Sequence, residues 1–466
     1  METLSMEVID AHCAGIDVGS RFHMVAVDQN LEHVRKFKVY TADHQQLIRY
    51  LQEQHITSGA MESTGSYWQT LFDALQTAGF EVILVNGNQV KNVKGKNTDV
   101  QDCLWIQKLH ALGLLRGSFM PTVELQSLRT YYSHGQYLIQ QLSKYINKMQ
   151  KALRLMNIRI DGVLNDIMGQ SGRLIIEAIL AGQREATQLA SLANYHVKKR
   201  PAEIAQALVG NYREDLLFEL GASLSLYDTY QQKLQDCHRL LASKLAGLAQ
   251  PYPQPVETPS AAKQRTKHSP TFALRELARQ YFGVDVMAVE GVSYNTALCL
   301  LTQVGNDIYK FATSKHFVSW LRLAPNNKIS GAKVLSSRTP KGKNRLALAL
   351  RQAANSIGNQ KKGALSQFFK KIAFKKDRAS AITATVRKLA TILFRMIVNK
   401  EELRANTPPI LSTKTKIMVN IKEEVKMLNL TEEQIKFLLF NNSLSTIYQA
   451  VVQFFIQGGT PTTCRS

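Results

Sequence analysis

Four carboxylates in the N-terminal part of the chain have the types and spacing of a metal site. Asp17 lies inside the apolar segment CAGIDVGS, where an ionised carboxylate is costly unless it is paired or binds a cation. Glu62 ends the segment GAMES, and Asp99 and Asp102 are three residues apart, so they share one face of a helix. Mg²⁺, which Mn²⁺ can replace, takes hard oxygen ligands and activates phosphodiester bonds. The four acids therefore predict a site for one or two Mg²⁺ ions.

Each acid also has a purely structural interpretation. Asp99 fits a stabilising charge at a helix N-terminus, with Thr98 as the cap. Asp17 fits a solvent-facing position on an edge strand, although its flanking residues are small and apolar. The segment GIDVGS also resembles the first phosphate loop of the actin-like sugar kinases, but those enzymes need a second glycine-rich loop with an aspartate, which the sequence lacks. Taken together in a strongly basic chain, the set favours the metal site.

A second chemical candidate lies in the segment LAPNNKISGAKVLSSRTPKGKNRLALALRQAA, where Ser330 precedes Gly331 in a predicted loop. A serine that attacks a DNA phosphate needs cations to hold the phosphate and to stabilise the charge that develops on it. A Ser-Gly pair in a loop is far more often a plain turn, so these residues alone leave both interpretations open. The cations expected to bind nucleic acid are Lys328, Lys333, Arg338, Lys341, Lys343 and Arg345.

The periodicity of the first 115 residues predicts the elements that position the acids. The segments CAGIDVGS, HMVAVDQN and VRKFKVY have the pattern of strands, and so do ITSGAMES and FEVILVNG. Helical patterns separate and follow them, in DHQQLIRYLQEQ, GSYWQTLFDALQTAG and TDVQDCLWIQKLHALGLL. Three strands in a meander followed by alternating helix and strand predict an α/β layer with a mixed sheet.

From residue 125 the apolar period becomes helical, and a seam of apolar residues continues without a break to Met156. A shorter seam, from Tyr227 to Leu241, repeats the spacing. The two segments predict a long coiled coil, paired either as an antiparallel hairpin or between protomers, with an ordinary helical bundle as the alternative. Gly135 falls on the first seam and would weaken it locally.

The second half begins after a proline-rich stretch. Residues 251–270 hold five of the twelve prolines, which predicts a linker. The segment MAVEGVSYNTALCLLTQVG predicts two helices around a glycine turn, which either binds DNA phosphates or is a plain hairpin. Residues 308–376 contain sixteen Lys and Arg and no acid. The predicted domains are 1–120 (metal-binding), 121–249 (helical), 250–271 (linker), 272–405 (serine loop) and 406–466 (helical tail).

Composition narrows the class of partner. The 466 residues include 58 Lys and Arg and 36 Asp and Glu, a net charge of +22, which points to a nucleic acid rather than a membrane. The five cysteines are widely spaced, without a CxxC pair, so neither a disulfide framework nor a zinc site is expected. The N-terminus lacks the pattern of a signal peptide, and no apolar run has the length of a membrane span. The sequence predicts a cytoplasmic protein.

The order of these motifs identifies a family. Asp17 in GIDVGS, Glu62 in MESTGSYW, and Asp99 and Asp102 in KNTDVQD precede a helical middle and the block EGVSYNTA…GND…F…W…LAPNNKISGAKVLSSR. This arrangement, over about residues 12–400, resembles the DEDD transposases of bacterial insertion sequences, the IS110 family, and the PNNKISG block is most similar to its IS-eleven-eleven subgroup. Cys103 stands where the family often has alanine, a conservative difference.

The resemblance implies a RuvC-like, RNase H-type N-terminal domain, a coiled-coil middle and a mainly α-helical C-terminal transposase domain. It also implies homodimers that assemble into a homotetramer, double-stranded donor and target DNA as substrates, and a non-coding bridge (or seeker) RNA that selects them in the bacterial nucleoid. By similarity, the four acids bind Mg²⁺, and Ser330 forms a covalent link to DNA. Ser336 and Ser337 are the alternative nucleophiles in the same loop.

Two other functions remain open. A junction-resolving nuclease would use the same acids with water as the nucleophile, so Ser330→Ala would leave cleavage intact. A non-enzymatic nucleic-acid binder with a degenerate RNase H-like fold would be insensitive to Asp17→Asn apart from a modest change in stability. All three functions predict binding that weakens steeply with salt.

Overall fold

The structure is a computed structural model, which describes residues 7–63, 65–90, 98–248, 267–331, 333–340, 342 and 344–402. The chain divides into two compact units, Met1–Thr122 and Val123–Ser466. The first contains a mixed sheet with helices, and the described part of the second is mostly helical. The predicted division into an α/β N-terminal part and a mainly helical remainder is therefore confirmed.

Five strands form the sheet of the first unit: β1 Cys13–Val18, β2 Phe22–Ala26, β3 Arg35–Lys38, β4 Ser58–Glu62 and β5 Glu81–Val85. Their order is β3-β2-β1-β4-β5; β1, β2 and β3 are antiparallel neighbours, while β1, β4 and β5 are parallel neighbours. Parallel neighbours need a crossover, and the helices α1 (Thr41–Glu53) and α2 (Trp68–Thr77) supply the two crossovers. This topology is consistent with an RNase H-like domain.

Different helices cover the two faces of this sheet. Successive side chains of a strand point to opposite faces, and those of Ile16 and Val18 pack with the buried side chains of α1 and α2. Two more helices of this unit are α3 (Gly87–Val90) and α4 (Asp99–Ala111). The helix α4 covers the other face, where Cys103 packs against β2 and Ile106 packs against β4 and β5.

The approach of α4 to β1 depends on Gly15. A Cβ atom at this position would lie well inside 3.0 Å of the backbone nitrogen of Gln107 and of the carbonyl oxygen of Cys103. Because backbone atoms cannot move aside as a flexible side chain can, only glycine lets the two backbones come this close. The helix that carries two of the four acids therefore lies directly on the strand that carries Asp17.

The described helices of the second unit are α5 Val123–Leu155, α6 Gln170–Leu180, α7 Ala186–Ser191, α8 Pro201–Ala207, α9 Glu214–Leu248, α10 Leu274–Phe282, α11 Tyr294–Gln303, α12 Ser314–Trp320, α13 Arg345–Asn359, α14 Ala364–Lys375 and α15 Arg378–Asn399. Two short antiparallel strands, β6 Lys328–Ser330 and β7 Lys333–Ser336, form a β-hairpin between α12 and α13. None of the described helices is both long and apolar enough to cross a membrane.

The long helices α5 and α9 pair with each other in antiparallel orientation. The ring of Tyr145 stacks on that of Tyr230, while nearer the start of α5 the thiol of Cys237 donates to the carbonyl oxygen of Tyr131, at 3.1 Å. A Cβ on Gly135 would make only an ordinary contact with that thiol's sulfur, at 3.5 Å. The two long helices thus pack against each other within the chain, while their assignment as a coiled coil stays a prediction. The short helices α6, α7 and α8 between them were not predicted as separate elements.

The helical pair shares its hydrophobic core with the helices that follow it. One continuous cluster of buried side chains extends from Leu125 in α5 to Ile397 in α15. Polar contacts reinforce the packing, since the guanidinium of Arg129 donates to the carbonyl oxygen of Gln303 at the end of α11. Most of the predicted linker and the predicted tail at 406–466 lie outside the described residues, so the subdivision of this unit into a helical and a transposase domain stays a prediction.

Candidate active site

Asp17 lies near the end of β1, on the face of the sheet that α4 covers. Asp17 lies opposite Met24 of the neighbouring strand β2. Met24 packs against α4, so Asp17 lies on the same face. A tight turn follows the strand, in which the backbone N–H of Gly19 donates to the carbonyl oxygen of Phe22, at 3.1 Å. A Cβ on Gly19 would lie 2.7 Å from that oxygen, so a side chain here would open the turn. The two glycines that bracket Asp17, Gly15 and Gly19, thus fix its position from both sides.

Glu62 is the last residue of β4 and belongs to the same face. The strands β1 and β4 are parallel, with Ile16 opposite Met61, so Asp17 and Glu62 come at the same edge of the sheet. Ala60, two residues before Glu62, packs against α4, and the alternation of a strand places Glu62 on that face as well. The carboxyl end of a parallel strand pair is where open α/β sheets build their sites.

Asp99 and Asp102 lie in the first turn of α4. The hydroxyl of Thr98 caps the helix by accepting a hydrogen bond from the backbone N–H of Gln101, at 3.3 Å. Asp99 therefore also has the structural role that the sequence allowed, because a carboxylate is stabilised by the N-terminus of a helix. The same cap fixes where α4 begins, and hence where both acids stand relative to β1. The structural and the chemical interpretations of these residues are compatible.

The four acids interact electrostatically. Burial, followed by the negative charges of Asp99, Asp102 and Glu62 in that order of size, raises the pKa of Asp17 to about 6. Burial and the charge of Asp17 also raise the pKa of the Cys103 thiol to about 12. The carboxylates thus form a concentration of negative charge at one edge of the sheet. Their oxygens are the ligands that a hard divalent cation prefers, and such a cation would relieve their repulsion.

In the part of the chain that the structure describes, no three His, Cys, Asp or Glu side chains lie close enough together to enclose a metal ion. The four acids are therefore near one another without the spacing of a closed coordination shell. Asp99 is exposed, while the other three are half-buried. An exposed carboxylate at the end of a helix can change rotamer at little cost. These acids therefore fit a cation by their oxygen ligands and by their position at one edge of the sheet, and not by the present distances.

Ser330 stands at the tip of the hairpin formed by β6 and β7, which we call the serine hairpin. It pairs with Lys333 across the tip, and Gly331 takes a left-handed conformation with φ +56°. The predicted loop is therefore the end of a short strand and its turn. Ser330 is exposed, and so are Lys328 and Lys333 on the two strands. The hydroxyl at the tip is accessible to a large polyanionic substrate.

The structure separates the three serines of this segment. The hydroxyl of Ser336 accepts a hydrogen bond from the backbone N–H of Arg338, at 3.4 Å, and forms the end of the hairpin. Ser337 is exposed, outside the strand pair. Only Ser330 combines exposure with a position at the hairpin tip.

The six predicted cations do not share one environment. Lys328, Lys333 and Arg338 are exposed on or beside the serine hairpin. Arg345 begins α13, and its guanidinium donates to the hydroxyl of Ser133 in α5, which the sequence did not indicate. The remaining two cations, Lys341 and Lys343, lie outside the described residues.

The predicted glycine turn near residue 291 has a different local structure. The segment before it is a 3-10 turn, Val286–Ala288, instead of a helix, and Ser293 caps α11. The carboxylate of Glu290 accepts hydrogen bonds from the backbone N–H groups of Leu365 and Ser366, at 3.0 and 3.2 Å, and so caps α14. The turn thus has a structural role that the local pattern did not reveal.

Two family models match the chain. One, for transposases of the DEDD type in the IS110 family, matches residues 14–158, which include all four acids. The other, described as the transposase IS116/IS110/IS902 family, matches residues 285–370, which include the serine hairpin and all six cations. No curated protein matches the chain. The first match falls on the mixed sheet with the four acids, and the second falls on the helical unit with the serine hairpin. Together they indicate a DNA transposase. The chain belongs to the IS110 family of transposases, as the sequence predicted.

Proposed function

We propose that this transposase cuts and rejoins DNA through a covalent link between Ser330 and a DNA phosphate, with the aid of Mg²⁺ held by the four acids, and that an RNA guides it to its donor and target DNA. The observation that carries this proposal is the gathering of Asp17, Glu62, Asp99 and Asp102 at one edge of the sheet, where burial and mutual repulsion raise the pKa of Asp17. The exposed Ser330, among lysines in the second matched region, supplies the nucleophile.

The metal part of the proposal rests on the donor set. Asp17, Glu62, Asp99 and Asp102 would hold Mg²⁺, or Mn²⁺ in its place. When bound, the ion stabilises the negative charge that develops on a phosphate under attack. The residues themselves determine where the ion binds: Asp17 and Glu62 are fixed by the sheet, while Asp99 and Asp102 are presented by the first turn of α4.

The covalent step requires no nucleotide. The Oγ of Ser330 attacks the phosphorus of a DNA phosphodiester, a Ser Oγ–P bond forms, and the bond from phosphorus to the leaving sugar oxygen breaks. The serine loses its proton and the leaving oxygen gains one, so the protons balance. Attack by a sugar hydroxyl on the serine-linked phosphorus reverses the step and rejoins a strand. The bond energy is kept in the serine phosphodiester, so rejoining needs no ATP.

The cations of the serine hairpin bind the phosphate during this exchange. Lys328, Lys333 and Arg338 stand beside the hydroxyl on exposed backbone, and Lys341, Lys343 and Arg345 follow in the sequence. Cations around a phosphate under attack hold it in place and stabilise its developing charge. The net charge of +22 extends this attraction to double-stranded DNA and to RNA.

The assembly is part of the same proposal. The transposase works as a homodimer that forms a homotetramer, with a bridge RNA as the second nucleic acid, inside the bacterial cell. The long pair α5–α9 is the element best suited to join protomers, because it offers a surface 33 to 35 residues in length on each helix. If base pairing with the guide RNA selects the DNA sequence, the protein itself needs to contact only the backbone and the shape of the nucleic acids.

The test is to look for the covalent intermediate. The full chain is expressed with the non-coding DNA that flanks its gene and is then incubated with junction and target DNA and Mg²⁺. A denaturing gel detects DNA that stays attached to protein, and peptide mass spectrometry maps the attachment. We expect an adduct on Ser330 that is lost in Ser330→Ala, lost or much reduced in Asp17→Asn, and retained in the matched control Ser337→Ala.

Two outcomes would replace this proposal. Cleavage without an adduct, unchanged in Ser330→Ala but lost in Asp17→Asn, would indicate a junction-resolving nuclease that uses water. Binding to DNA without cleavage, unchanged in both variants, would indicate a binder with an inactive RNase H-like fold.

A further inference from the structure

The outward face of α14 exposes an aromatic ring that the proposed chemistry does not use. Phe374 is 93% exposed, the most exposed of the large apolar side chains described. The helix packs on its neighbours through Leu365, Ser366 and Phe369, which are buried. Phe374 comes nine residues after Leu365, about two and a half helical turns, so it lies on the opposite side of the helix. Packing within the described residues therefore does not explain this ring.

Lysines surround the ring. Lys371 precedes Phe374 by one turn, Lys375 follows it directly, and Lys376 ends the helix; all three are exposed. Among the described residues, Lys371 and Lys375 form no ion pair, whereas Lys376 interacts electrostatically with the neighbouring Asp377 and Lys370 donates to the carbonyl oxygen of Gln360, at 2.7 Å. Phe374, Lys371, Lys375 and Lys376 together form what we call the α14 patch.

The surrounding sequence makes the patch strongly positive. It lies at the end of residues 308–376, which contain no acid, and Asp377 is the first acid after them. Singly exposed apolar side chains are common on protein surfaces and need no explanation by themselves. An exposed ring among exposed lysines is different, because it combines the two groups that bind unpaired nucleotides: a flat surface for a base and positive charges for the phosphates on either side.

We propose that the α14 patch binds a single-stranded stretch of nucleic acid, with an unpaired base stacked on Phe374 and the adjoining phosphates held by Lys371, Lys375 and Lys376. The inference rests on the proposed function, of which it names one contact: the place where an unpaired segment, of RNA or of opened DNA, meets the protein. A base within a duplex is already stacked on both faces and offers no surface to the ring. The patch therefore distinguishes single strands from duplexes.

Charge argues against a second copy of this chain as the occupant. Two α14 patches in contact would bring like charges together, which costs energy that the small area of one ring does not offset. A polyanion instead gains from each lysine and releases its counterions when it binds.

The test compares single strands and duplexes on the full chain. Labelled single-stranded RNA, single-stranded DNA and a duplex of the same sequence, each of about 15 nucleotides per strand, are titrated with wild type and variants. We expect Phe374→Leu to weaken single-strand binding about 5- to 50-fold, because one base loses its stacking partner, and duplex binding by less than about 2-fold. Phe374→Trp should keep the wild-type affinity. The single strand that loses more affinity, RNA or DNA, is the natural occupant.

The chain offers a matched control. Phe218 near the start of α9 is 80% exposed, but its neighbours are Glu214, Asp215 and Glu219. Phe218→Leu removes another highly exposed ring, this one from an acidic surface, and should leave binding of all three nucleic acids unchanged. Both substitutions are at exposed sites, and thermal unfolding verifies that each variant is folded.

The inference is overturned if wild type binds no single strand, if Phe374→Leu leaves single-strand affinity unchanged, or if it weakens duplex binding equally. It is also overturned if Phe374→Leu instead reduces self-association in sedimentation without nucleic acid. The Ser330 adduct is scored separately with junction DNA. An adduct without any effect of Phe374→Leu removes this inference alone, and a Phe374-dependent affinity without an adduct removes the proposed catalytic function alone.

Discussion

Asp17 carries a cost for the fold that the proposed role of this residue in catalysis would explain. Its carboxylate is half-buried, and this burial together with three other carboxylates raises its pKa to about 6. At neutral pH it is ionised among like charges, which opposes folding. Active sites often keep such groups because function needs them where stability does not.

Replacing this carboxylate by a neutral isostere should separate the two effects. We expect Asp17→Asn to abolish DNA cleavage and yet to raise the free energy of unfolding, in metal-free buffer at neutral pH, by about 1–2 kcal/mol after allowance for partial exposure. Chemical denaturation with EDTA present measures the gain. The control is Asp73→Asn, at an exposed carboxylate of α2, which should change neither property. A destabilised Asp17→Asn protein would show that the carboxylate has a stabilising partner.

Two buried histidines should make the first unit sensitive to acid. The Nε2 atoms of His23 and His44 are 3.4 Å apart, and burial, followed by the charge of His44, lowers the pKa of His23 from 6.5 to about 4. Between these values the unfolded chain binds more protons than the folded one. Stability should therefore be complete above pH 6.5 and fall as the pH decreases towards 4.

The measurement is urea unfolding of wild type and His23→Phe at about pH 7.5 and about pH 5.0. We expect the substitution to reduce the loss of stability on acidification, whereas His33→Gln, at an exposed histidine, should not. Equal pH dependence in wild type and His23→Phe would show that other groups control the acid response.

At the scale of elements, the contact between β1 and α4 determines whether the acids meet. The two elements are separated by more than eighty residues, and their backbones touch at Gly15. The pairing of α5 with α9 and the cap that Glu290 gives to α14 are contacts of the same long-range kind. In each case one element fixes the start, or the position, of another that is distant in sequence.

Gly15→Ala tests the first of these contacts. The added methyl would collide with backbone of α4, so we expect a loss of roughly 2–4 kcal/mol of stability and a loss of cleavage as α4 moves away from β1. Thermal unfolding and the cleavage assay measure both. Gly59→Ala on the neighbouring strand is the matched control, because its Cβ would lie 3.7 Å from the nearest atom and should be tolerated. Similar losses in the two variants would mean that strand flexibility, not the approach of α4, is at stake.

At the scale of the whole molecule, the net charge and the family both point to the binding of nucleic acid. The four acids lie in the first compact unit and the serine hairpin lies in the second, while the first matched region continues from the first unit into α5 of the second. An excess of 22 positive charges serves a chain that must bind long polyanions. The share of this charge in residues 308–376 belongs to the second unit.

Salt should therefore control binding more strongly than sequence does. We expect the association constant for a generic duplex to fall by at least about 10³-fold between about 50 and 200 mM salt, as counterion release at six or more phosphates requires. Fluorescence anisotropy over a salt series gives the slope. A slope near zero would mean that the positive charge does not contact the phosphates.

The sequence by itself determined the order of the five strands and of α1, α2 and α4 in the first unit, the four acids, the serine candidates and the family. Strand and helix periods are local, and a carboxylate inside an apolar strand stands out without any knowledge of its neighbours. Only the tertiary structure decided that the acids share one edge, that Ser330 ends a strand at an exposed tip, that Arg345 turns to Ser133, and that α5 pairs with α9 within the chain. These facts depend on contacts between residues far apart in sequence, such as Gly15 with Gln107, which no local period encodes.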